Sequence, residues 1–113
     1  MRALLIACLL FLLAVAPAGA ATVLDGTTGP GFKITLTQKG KPVKTLAPGT
    51  YEIRVSDRST IHDFALRGPG VSTEITTVAG TGTRSATVTL RRGTYTYFCT
   101  PHASMMRGSF RVR

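Results

Sequence analysis

The residues of this chain able to do chemistry are few, and they sit close together. Cys99, His102, Met105 and Met106 fall within eight positions, at the end of the aromatic run Tyr95-Thr96-Tyr97-Phe98. Only one other histidine is present, His62, in the segment Ile61-His62-Asp63-Phe64-Ala65-Leu66. One thiolate, two imidazoles and a thioether make a donor set suited to a redox copper ion. The soft sulfur stabilises Cu(I), imidazole suits both oxidation states, and a weak axial thioether tunes the potential. Zinc is the chemical competitor, since Cys and His bind it well, although Met is foreign to structural zinc sites. Each residue also has a plainer reading. A free Cys is often a small buried hydrophobe, and a histidine in phase with Phe64 and Leu66 is often a satisfied core residue. The Cys99–His102 spacing, which lets both side chains reach one ion from a tight loop, favours ligation.

Other chemistries find little support. With both histidines committed, no third one is left to act as a base, and no Ser-His-Asp set or pair of carboxylates stands out. The formal charge is +9, with 14 Lys and Arg against 5 Asp and Glu. Those basic residues are scattered, whereas a nucleic-acid groove would cluster them among aromatic platforms. No nucleic acid is therefore expected. The charge points to solubility and to acidic partners or anionic surfaces.

The first twenty residues have a different character. Met1-Arg2 is positive, Ala3 to Ala16 is almost unbroken apolar sequence, and Ala18-Gly19-Ala20 supplies small residues for cleavage. This is the pattern of a signal peptide, so residues 1–20 are expected to leave on export and residues 21–113 to form one domain. The run is too short for a confident membrane span, and no stable membrane insertion is expected. No Cys stands at the cleavage position directly after Ala20, which argues against a lipid anchor, and no twin Arg precedes the run. The expected location is exported: periplasmic, extracellular or at the cell surface. Cys8 departs with the leader, leaving Cys99 as a lone thiol that has no internal disulfide partner.

The segments that must position these residues read as short strands. Every threonine lies beyond residue 21, mixed with Val and Tyr, a composition that favours sheet. Apolar residues alternate at Phe32, Ile34, Leu36; at Tyr51, Ile53, Val55; at His62, Phe64, Leu66; at Val88, Leu90; and at Phe110, Val112. Glycine and proline turn signals separate them, as in Gly29-Pro30-Gly31, Pro48-Gly49 and Gly68-Pro69-Gly70. An all-β domain is expected, an antiparallel sandwich or barrel with no convincing helix. His62 is placed in a strand facing the core, and Cys99 at a strand end where Thr100-Pro101 turns the chain.

The run Tyr97-Phe98-Cys99-Thr100-Pro101-His102, followed by Met-x-Gly at Met106-Arg107-Gly108, resembles the type 1 blue-copper proteins, the cupredoxins of the plastocyanin, pseudoazurin and amicyanin group. The resemblance is sharp at His62 and from Tyr95 onward, and it extends in pattern from Phe32 to Val112. It implies a Greek-key β-sandwich carrying one copper at one end, cycling between Cu(I) and Cu(II). His62, Cys99 and His102 would be the strong ligands. The loop resembles that of amicyanin with one residue more, and the Met-x-Gly phase, with Phe110 and Val112 four and six positions on, selects Met106 as the axial ligand over Met105. Asp63 stands where the family commonly has Asn; there it would accept a hydrogen bond from Thr100 or a backbone N–H and tie the two ligand loops.

The resemblance further implies a monomeric single-electron carrier, not an enzyme, with His102 nearest solvent. Pro101, Ala103, Ser104 and Met105, joined by Pro30 or Pro69, would form an apolar docking patch for a redox partner protein of acidic character; ordinary loop residues are the alternative. Two other functions compete: copper storage or delivery without electron transfer, and a β-sandwich binding module that has lost its metal.

Overall fold

In the computed structural model, residues 20–113 are described; the apolar run assigned to a signal peptide lies outside the described residues. Ten strands form two five-stranded sheets. The first sheet contains β1 (Thr22–Thr28), β2 (Ile34–Gln38), β3 (Lys41–Pro42), β5 (Gly49–Asp57) and β8 (Gly82–Leu90), in the order β3-β2-β1-β5-β8. The second contains β4 (Thr45–Leu46), β6 (Phe64–Gly68), β7 (Val71–Thr76), β9 (Gly93–Phe98) and β10 (Arg107–Val112), in the order β4-β10-β9-β6-β7. The result is the expected all-β Greek-key sandwich. Two of its pairings, β1 with β5 and β4 with β10, are parallel, so the sheets are mixed instead of purely antiparallel.

Alternation explains the core. Along β5, Tyr51, Ile53 and Val55 are buried while Thr50 and Arg54 face solvent, as a period of two requires. Leu24 and Leu36 complete the inner face of the first sheet. Phe64, Leu66, Tyr95, Phe110 and Val112 oppose them from the second. Burying each such side chain contributes about 1.5–3 kcal/mol. Tyr95 stacks on Phe110 with ring centres 5.5 Å apart. Its hydroxyl accepts the Arg91 N–H at 3.1 Å and lies 2.9 Å from the Pro69 carbonyl, which pins the end of the sandwich remote from Cys99.

The topology sets up the site. Strands β6 and β9 pair antiparallel, with Ala65 opposite Phe98. The residue leaving β9 therefore stands beside the residues entering β6, and Cys99 meets the His62–Asp63 segment although 37 positions separate Cys99 from His62.

Candidate metal centre

Three loops converge at this end of the sandwich. His62 and Asp63 precede β6, which begins at Phe64; the expected strand through His62 is in fact a buried loop segment leading into that strand. Cys99 follows β9, and Thr100–His102 form a single 3₁₀ turn with Pro101 in its first positions. Proline suits that place because its φ is preset and its missing N–H would have no partner there. Beyond the turn, the Cys99 N–H donates to the Met106 carbonyl at 3.0 Å, and the Met106 N–H donates to the His102 carbonyl at 2.8 Å. The loop from Cys99 to Met106 is thus closed on itself by its own backbone.

The side chains converge within it. His62 Nδ1 and His102 Nδ1 are 3.1 Å apart, and Cys99 Sγ lies 3.7 Å from the first and 3.5 Å from the second. His62 and Cys99 are buried, and His102 is half-buried. Bond lengths of about 2.0 Å to nitrogen and 2.3 Å to sulfur place such donors roughly 3.5–3.7 Å apart around one ion at trigonal angles. The two sulfur–nitrogen edges have that size and the nitrogen–nitrogen edge is somewhat shorter, and the donors are those of a copper site. Burial pushes the Cys99 thiol above its ordinary value of 9.0, while the amide dipoles of Asp63 and His102 pull it part of the way back. A buried thiol raised in this way is the group a metal ion would deprotonate.

Asp63 ties the loops together. Its carboxylate accepts the Thr100 N–H at 2.6 Å and the Thr100 hydroxyl at 2.7 Å, one to each oxygen. Its own carbonyl accepts the Thr28 hydroxyl at 3.1 Å, which anchors the His62 loop to the end of β1. The aspartate in the expected asparagine position therefore makes the bond anticipated from Thr100 and a backbone bond as well.

The model of the family described as copper binding proteins, plastocyanin/azurin family, matches residues 54–113, just over half of the chain and all of the residues above from His62 onward. This chain belongs to that family. It is a blue-copper protein, a cupredoxin that binds one copper. Among solved structures, it is similar to auracyanin A, a "blue" copper protein of Chloroflexus aurantiacus, with 20% identity and a TM-score of 0.59 over 83% of this chain and 100% of that one. Reduced rusticyanin is matched at 21% identity and a TM-score of 0.61, over 85% of this chain and 81% of that one. A reduced amicyanin variant is matched at 23% identity and a TM-score of 0.50, covering 88% and 87%. These likenesses fix the fold. A search of curated proteins finds no match.

In this cupredoxin the two methionines separate cleanly. Met106 is fully buried, whereas Met105 is 63% exposed. Phe32 was expected to alternate inward with Ile34 and Leu36. Instead β2 begins at Ile34, and Phe32 is 55% exposed in the loop after Gly31. Its ring stands edge-on to both imidazoles, with centroids 5.2 Å from His62 and 5.0 Å from His102. Sequence reasoning missed this contact; the Gly29-Pro30-Gly31 signal directly before it already marked the strand as not yet begun. Gly29 lies on His62, since a Cβ there would come within 3.6 Å of the ring. Pro30 is therefore at the metal end. Pro69 is not: it packs on Gly93 at the start of β9, the end opposite Cys99, and leaves the expected docking patch.

Proposed function

We propose that this cupredoxin is an exported single-electron carrier in which His62, Cys99 and His102 hold the copper and Met106 is the long axial ligand. The observation that carries the reading is the tight, largely buried triangle of two imidazole nitrogens and one sulfur, built beside strand ends and closed by hydrogen bonds. When bound, copper supplies a one-electron couple between Cu(I) and Cu(II). The chain's part is to hold its donors still. Asp63 locks the Cys99–Thr100 turn against the His62 loop, and the Met106 carbonyl orients the Cys99 backbone. Phe32 packs its ring against both imidazoles and restricts their movement. A site that moves little between oxidation states exchanges electrons with little reorganisation, which favours a carrier over a storage site.

Support for the docking patch comes from exposure. Phe32, Ile61 and Met105 are all more than half exposed, and each sits in one of the three loops that meet at this end. Exposed large apolar side chains grouped around one site mark an interaction surface. With Pro101, Ala103, Ser104 and Pro30 they would face the partner, His102 being the more exposed imidazole. The scattered positive charge favours an acidic partner and a salt-sensitive encounter. Residues 1–20 are read as the leader and 21–113 as a monomeric, non-enzymatic domain; no described helix is long and apolar enough to cross a membrane. An exported protein whose first residue is Ala21 is the expected product of cleavage.

The test is a Cu(II) titration followed by visible absorption and voltammetry. A saturating one-to-one blue band with a reversible one-electron wave and fast self-exchange is expected, and Cys99→Ser should abolish the band. A band that survives that change removes Cys99 from the ligand set. A blue but irreversible centre would instead assign the protein to copper storage or delivery, and an absent band with an unmoved melting temperature would make it a metal-free module.

A further inference from the structure

The outer face of the second sheet carries a groove that the copper site does not use. Register alone puts its residues together: Arg67 on β6 pairs with Thr96 on β9, and Arg107 on β10 pairs with Phe98 on β9. All four side chains share the face turned away from the core, because Leu66, Tyr95, Tyr97 and Phe110 occupy the alternate positions. Arg67 and Arg107 stand on opposite sides of β9, two strand spacings across and two residues apart along it, which sets their backbones about 12 Å apart. Between them the groove has a volume of about 310 Å³, floored by Gly68, Thr96 and Phe98, with Ala103 of the ligand loop at one end. The Arg67 guanidinium lies 5.2 Å from the centre of the Phe98 ring, which holds it over the groove.

No acidic residue lines this groove. All five acidic residues of the chain are among those described, and the sole ion pair among described residues joins Arg54 to Glu52. Neither arginine therefore forms an ion pair within its own chain, although Glu74 shares the adjoining pocket with Arg67 and Phe98. Guanidinium is the group that recognises carboxylate in a bidentate way. The groove directly adjoins the ligand loop, since Phe98, Ala103 and Arg107 neighbour Cys99, His102 and Met106 in sequence.

We infer that the Arg67–Phe98–Arg107 groove is the docking site for an acidic segment of the redox partner, with its carboxylates on the two guanidinium groups and its apolar stem on Phe98. The partner's identity as a redox protein rests on the electron-carrier reading; the groove's preference for carboxylates rests on the arginines alone. The test is NMR mapping of an acetylated hexaglutamate peptide on the Cu(I) protein at low ionic strength. Amide shifts concentrated at Arg67, Thr96, Phe98, Ala103 and Arg107 are expected. The double variant Arg67→Gln/Arg107→Gln should weaken binding about tenfold, and Lys39→Gln/Lys41→Gln, with the same loss of charge on the other sheet, less than about twofold. Shifts spread over the basic surface, equal losses in the two double variants, or no binding would overturn the assignment. So would citrate binding as tightly as the peptide, which would make the groove a small-anion site. Because the mapping needs no electron transfer, an irreversible copper couple would sink the carrier reading while leaving the groove's affinity for acidic peptide intact.

Discussion

At the scale of single residues, the centre is governed by groups that touch its donors. Met106 is buried under the loop and Met105 points outward, so the two leucine substitutions should part company. Met106→Leu is expected to keep copper and raise the reduction potential, because loss of a sulfur donor stabilises Cu(I) relative to Cu(II). Met105→Leu should leave the potential within error. Voltammetry of both variants checks the axial assignment, and the reverse pattern transfers it to Met105. Asp63 acts from one bond further out. Both of its oxygens are engaged by Thr100, and a carboxylate so near the donors favours the more positive metal state. Asp63→Asn keeps the shape and one acceptor, and should raise the potential by about 60 mV, a tenfold change for a one-electron couple. An unchanged potential would show that Asp63 only fastens the loops.

At the scale of elements, the ligand loop depends on how β9 and β10 pack. Gly108 pairs with Tyr97, and a Cβ at Gly108 would collide with the Tyr97 ring. Tyr97 cannot easily retreat, since its other side stacks on Phe64 at 5.7 Å with the rings nearly parallel. The glycine of the Met-x-Gly sequence is thus a steric requirement of the strand pair. Gly108→Ala should cost about 1–3 kcal/mol in chemical denaturation, as overpacking of a tight contact does. Because Met106 precedes this contact by two residues, the variant should also perturb the blue band. A stable variant with an unaltered spectrum would mean that β10 shifts freely.

At the scale of the whole molecule, protons and copper compete for one buried sulfur. Burial raises the Cys99 thiol, so the metal-free fold prefers the protonated form. Its contribution to stability is full below pH 9.0, where the unfolded thiol ionises, and declines as the pH rises toward the higher folded value. Copper binding has the opposite slope, because the ligand must lose its proton. Apparent affinity should rise about tenfold per pH unit below the thiol's folded value, wherever that proton alone is released. Thermal melts of metal-free protein and copper competition assays across pH measure the two slopes. A pH-independent affinity would show that the thiol is already ionised without metal. Copper should also raise the melting temperature, since the three donors converge only in the native state.

The donor types and much of their placement were legible from local sequence. His62, Cys99 and His102, the turn at Thr100-Pro101, the alternation at Tyr51, Ile53 and Val55, and the choice of all-β architecture depend on neighbours a few residues away, and periodicity reports such relations directly. The Asp63–Thr100 bond was anticipated from the family resemblance, in which the residue after the first histidine ties the two ligand loops. Other features needed the folded chain. Periodicity carried Phe32 into a strand, whereas the turn before it delays β2 and leaves the ring on the two imidazoles. Pro69 resembles Pro30 in its glycine-flanked setting, yet the course of β6 and β9 sends it to the opposite end of the sandwich. The parallel pairs, and the register that sets Arg67 and Arg107 on either side of Phe98, join segments distant in sequence. Which residues could bind a metal is a property of their side chains; which of them meet is decided by strand pairing across the sheet, a long-range arrangement that no local pattern encodes.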